Sequence, residues 1–100
     1  MNKEYEHLSL DFTTKAQRLF IFTFEQFRDS TKKLNRHKDE NVFQLQVGKF
    51  AATLKQQLEN IAIELMKKNR SLKNARLCNK ILTDHIEGYL NEFRRKSWSV

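Results

Sequence analysis

Ile61-Ala-Ile-Glu-Leu-Met-Lys-Lys-Asn-Arg-Ser-Leu-Lys-Asn-Ala-Arg76 decides the architecture of this chain. Two heptad sets run through it in one register. One is Val47, Leu54, Ile61, Lys68, Ala75, Leu82 and Tyr89; the other is Gln44, Ala51, Leu58, Leu65, Leu72, Asn79, Ile86 and Phe93. Apolar residues at alternating three and four steps define a helical seam. Continued without a break, the seam makes one helix of about 75 Å, which needs a second molecule to cover it. Interrupted at Asn69-Arg70-Ser71, it makes two ordinary helices. Asn and Ser are good capping residues, and Lys68 and Asn79 weaken the stripe on either side. Because helices in globular proteins are short, the interruption is the preferred reading.

Upstream, Phe12, Ala16, Leu19, Phe20, Thr23, Phe27 and Leu34 share one helical face, with Ser9 or Asp11 as candidate caps. Asn35-Arg-His-Lys-Asp-Glu-Asn41 is a run of seven polar residues and the clearest loop. Asn41 followed by Gln44 resembles a capping box for the next helix. The expected fold is all-α: a single domain forming a three-helix up-down-up bundle, with helices over about 10–34, 42–69 and 72–95, a flexible tail over 96–100, and about 36 Å per helix. The alternative is a helical hairpin with one long C-terminal helix, dimerising into a four-helix bundle or coiled coil. A strand over Phe20-Ile-Phe-Thr-Phe24 fits the alternation of Phe20, Phe22 and Phe24 but has no partner strand.

Composition agrees. The chain has 100 residues, no Pro, two Gly and 39% hydrophobic residues. That is too little turn chemistry for a many-stranded sandwich and too much apolar content for global disorder. One cysteine, Cys78, excludes an internal disulfide framework and suits a reducing compartment, so a cytoplasmic location is expected. The longest apolar run, around Leu19 to Phe24, is far short of the roughly 20 residues of a membrane-spanning helix.

Some apolar residues exceed what one core can use. Ile21 and Phe22 leave the first stripe, and Leu45, Ala52 and Ile63 leave the second. Burying such a side chain against a partner is worth roughly 1.5–3 kcal/mol. Ile21, Phe22, Leu45, Ile63 and Trp98 are therefore the candidate contacts for a protein partner, including a second copy of the chain. Trp98 docks on the bundle, meets a membrane interface beside Arg94-Arg95-Lys96, or enters a partner's groove; docking is the ordinary fate of a lone aromatic.

The net charge is +7, and the acid-free stretch from Leu65 to Thr83 carries six of those charges through Lys67, Lys68, Arg70, Lys73, Arg76 and Lys80. Such a face can contact phosphates, which makes a nucleic-acid-binding accessory role the alternative function. No helix-turn-helix, zinc-finger or RNP pattern supports base readout. An anionic membrane surface ranks last among the partners. Lys32, Lys33, Arg36 and Lys38 should share one pole with Arg94, Arg95 and Lys96, leaving the Lys67–Arg76 stretch at the other, near Glu4, Glu6 and Asp11.

Catalytic signals are weak. His7, His37 and His85 are scattered, and Cys78 and His85 lie about 10.5 Å apart along a helix, too far for one metal. Glu4-x-x-His7 has the spacing of a carboxylate–histidine pair but lacks companions. His85, beside Tyr89, reads as a core-edge histidine. No P-loop, GxGxxG or HExxH is present. No catalytic, cofactor or metal site is expected, and the chain is read as a small non-enzymatic interaction or regulatory protein that presents helix faces.

Overall fold

Leu8, Phe12, Ala16, Phe20, Thr23, Phe27 and Thr31 recur at steps of three and four, and all are buried. They lie on one side of the first helix of a computed structural model that describes residues 3–35, 38–68 and 75–99. This helix, α1, spans Lys3–Thr31. It starts well before the expected residue 10, because Leu8 extends the stripe by another turn. Ser9 and Asp11 therefore lie inside α1 rather than capping it. The helix ends short of Leu34, whose N–H donates to the Thr31 carbonyl at 3.0 Å.

The connection is closed by a reciprocal clasp. Asp39 N–H donates to the Asn35 carbonyl at 2.6 Å, and Asn35 N–H donates to the Asp39 carboxylate at 3.0 Å. Lys38 N–H donates to Asn35 Oδ1 at 3.3 Å. The second helix, α2, spans Glu40–Lys68, and the Asp39 carbonyl accepts its first bond, from Phe43 N–H at 2.8 Å. The boundary residue is thus Asp39, not Asn41. Asn41 and Gln44 are exposed in the first turns, so the expected Asn41–Gln44 capping box is not the device used.

The third helix, α3, spans Ala75–Ser99. The long-helix alternative is overturned: α2 stops at Lys68, and α3 packs back against both earlier helices. Residues 69–74, where the interruption was expected, lie outside the described residues. The tail expected over 96–100 is helical through Ser99. Ser97 follows Phe93 by four residues on the buried side and donates its hydroxyl to the Phe93 carbonyl at 2.7 Å.

Ring contacts fix the direction of each helix. Phe12 meets His85, Phe20 meets Tyr89, and Phe27 meets Phe93, so α1 and α3 run parallel. Phe27 packs on Phe43 and Phe50 across the connection, so α2 is antiparallel to α1. The result is the expected up-down-up three-helix bundle, a rod of 52 × 21 × 19 Å. Phe20-Ile-Phe-Thr-Phe24 is helical, and no strand occurs among the described residues. Buried side-chain polar atoms all have partners among those residues, as a close-packed core requires.

Candidate functional site

With the core closed by its own three helices, four of the predicted contact residues remain open to solvent. Ile21 is 58% exposed, Phe22 60%, Leu45 71% and Ile63 54%. Fold geometry does not gather them into one patch. Ile21 and Phe22 are consecutive and diverge by about 100° around α1. Leu45 and Ile63 fall on one line of α2 but lie five turns, or about 27 Å, apart. Sequence reasoning missed Leu10, Val42 and Leu77, which are also large, apolar and exposed. Leu10 was findable: it lies eleven residues before Ile21, three helical turns, and so shares its angular position.

Ile63 has a local context. It and Met66 form one wall of an open groove of about 740 Å³ between α2 and α3. Ala62, Leu82, Ile86 and Leu90 supply its apolar floor, with Glu59 and Glu87 beside them.

The cations sort as the chain direction demands. Lys67 and Lys68 end α2, while Arg76 and Lys80 begin α3, so these four exposed side chains share one end of the rod. Arg70 and Lys73 lie outside the described residues. Exposed Glu6 and Asp11 occupy the α1 turns nearest that end. At the opposite end, exposed Lys32, Lys33 and Lys38 share the tip with exposed Arg94, Arg95 and Lys96, the last with its ammonium 5.6 Å from the Phe20 ring centroid. Arg36 is outside the described set. Arg95 donates to the two oxygens of Glu92, from Nε at 3.1 Å and also from Nη2. This hydrogen bond holds the Glu92 carboxyl below its ordinary pKa and raises that of Arg95.

Trp98 closes that end. Its ring centroid is 4.9 Å from that of Phe43, yet it stays 41% exposed. It both docks on the bundle and presents an indole face.

His85 is half-buried at the α1–α3 seam, where Ser9 Oγ and His85 Nε2 lie 2.9 Å apart and the Phe12 ring is 5.9 Å away. The Ser9 partner was missed because its spacing to His85 spans 76 residues and leaves no local signal. Neighbouring Tyr89 has its pKa raised by burial, an effect opposed by its hydrogen bond with Thr13. A Ser–His pair of this kind can orient a side chain. Nucleophilic chemistry would also need an orienting acid and oxyanion donors. Cys78 is fully buried. Among the described residues, no three His, Cys, Asp or Glu side chains converge as a metal site, and no helix is long and apolar enough to cross a membrane.

No family model, curated protein or solved structure matches this chain.

Proposed function

We propose that this is a small non-enzymatic interaction protein of the cytoplasm that presents helix faces to a protein partner, including a second copy of itself. The supporting observation is that Ile21, Phe22, Leu45 and Ile63 stay exposed on a bundle whose core is already filled. Water contact at such residues is an unused driving force for association. Because they point in different directions, one partner helix engages one or two of them rather than all four.

Light scattering coupled to size exclusion, run over a wide concentration range, tests self-association. Growth in mass that the Phe22→Ser and Leu45→Ser variants abolish supports it; a constant monomer mass removes the second copy as partner. For another protein, the wild type and a variant carrying Ile21→Ser, Phe22→Ser, Leu45→Ser and Ile63→Ser are compared as bait, after matching their helicity. Equal recovery by both baits would sink the reading.

A second reading, backbone-type nucleic-acid binding, is favoured by the exposed cations Lys67, Lys68, Arg76 and Lys80 at one end. Phosphate contacts of this kind give an affinity that falls steeply with salt. Absence of binding to duplex and single-stranded oligonucleotides at about 50 mM salt would end it.

A further inference from the structure

We infer that the blunt end of the rod carrying Trp98 docks on an anionic lipid surface. It shares Leu45 with the protein-partner reading above, and the lysine variants and the Trp98 emission test it apart from that reading.

Three observations carry it. Charge comes first: taken about ten residues into each helix, residues 22–35, 38–49 and 90–98 hold eight Lys and Arg against five Asp and Glu, a net of +3, with the Lys96 ammonium set over the Phe20 ring. These cations come from three separate segments brought to one end by the fold. The second is apolar chemistry at the same end. Trp98 lies on Phe43 in the first turn of α2, and exposed Val42, one residue before it, and exposed Leu45, two residues after it on the outer side of the helix, add apolar surface near the same end. Tryptophan favours the membrane–water boundary, where its ring is half in hydrocarbon and its N–H meets water, and juxtamembrane cations attract anionic headgroups. The third is shape. The rod is 21 × 19 Å in cross-section, so its end offers a small, blunt face to a plane rather than a stripe that follows a polyanion. A nucleic-acid backbone would engage the cations but give Val42 and Leu45 nothing apolar to enter.

The full chain is mixed with phosphatidylcholine vesicles and with vesicles containing about 30% phosphatidylserine, then sedimented. Binding is expected to the anionic vesicles alone and to be lost in about 0.5 M salt, where surface charges are screened. Trp98 is the only tryptophan, so its emission reports on this end alone. Brominated acyl chains in the anionic vesicles should quench it. Lys32→Ala with Lys33→Ala, both exposed, should weaken vesicle binding about 25-fold, at roughly fivefold per cation. Leu45→Ser should weaken it as well, and the exposure of that side chain keeps the fold intact. No pelleting with anionic vesicles, equal pelleting with neutral ones, or unquenched Trp98 emission overturns the inference. So does oligonucleotide binding without vesicle binding, which would assign these cations to a phosphate backbone.

Discussion

The two halves of the rod are packed by different means. Toward the α1–α2 connection the core is aromatic: Phe27 lies among Phe24, Phe43, Phe50 and Phe93, with ring centroids 5.5–6.1 Å apart. Several of these pairs meet edge to face, the arrangement that the ring quadrupoles favour. Toward the other end the core is aliphatic, built from Leu8, Leu58, Leu65, Leu82 and Ile86 with the small residues Ala62 and Cys78, and with Phe12 as its aromatic member. Rings of fixed shape fill the first half. Small side chains leave room in the second, and the α2–α3 groove opens there, over Ala62.

Phe27→Ala should be the most damaging single change, costing about 3–5 kcal/mol, because it removes the ring shared by four neighbours. That is a large part of the stability of an ordinary domain, and thermal unfolding should move down by at least roughly 12 °C. Leu58→Ala in the aliphatic half should cost about 2–4 kcal/mol, since its surroundings can close in on the space. Urea unfolding of both variants checks the order; an equal or larger loss from Leu58→Ala would erase the distinction between the halves.

Asp39→Ala should cost about 1 kcal/mol, through loss of the carboxylate that accepts from Asn35 N–H. In the opposite direction, Gly48→Ala and Gly88→Ala should each stabilise by roughly 0.5–1 kcal/mol, because both lie within helices and an added Cβ meets nothing within 4 Å. Chemical denaturation reads both effects.

The smallest effect is pH-dependent. Burial raises the Tyr89 pKa, so the folded state keeps its phenolic proton after the unfolded chain has lost it. The stability from this residue is complete below about pH 10 and declines as pH rises through the folded value. Tyr89→Phe should flatten the alkaline limb of the stability curve. An unchanged limb would show that Tyr89 does not contribute.

Helical spacing made the helical faces legible, and the preferred break at Asn69-Arg70-Ser71 made three helices on an up-down-up path the expected arrangement. It also placed Lys32 and Lys33 near Arg94 and Arg95, because an up-down-up path leaves no other arrangement. Three things escaped it. Helix ends did, since Ser9 and Asp11 look like caps although Leu8 carries the buried stripe past them. Part of the α3 stripe did too: the shared heptad holds at Leu82, Ile86 and Phe93, yet it assigns Asn79 to the seam where Cys78 is the buried residue. Packing against α1 and α2 sets the angle of α3 about its own axis, and with it which residue of each turn is covered. Finally, contacts between distant residues, such as Ser9 with His85 and Phe43 with Trp98, depend on how three stripes interlock. For the candidate site, the open positions Ile21, Phe22, Leu45 and Ile63 followed from angle alone. Their dispersion around the rod did not, since it depends on which flank of each helix its neighbours cover.

An odd number of helices sends the beginning of α1 and the finish of α3 to opposite tips of a particle 52 Å long. Joining Ser99 to Lys3 in a circular permutant would take a linker of roughly 15 residues in fully extended form. For the same reason, dyes attached at the two tips would act as a molecular ruler. Their energy transfer should rise on any collapse of the rod and stay constant through events confined to one tip.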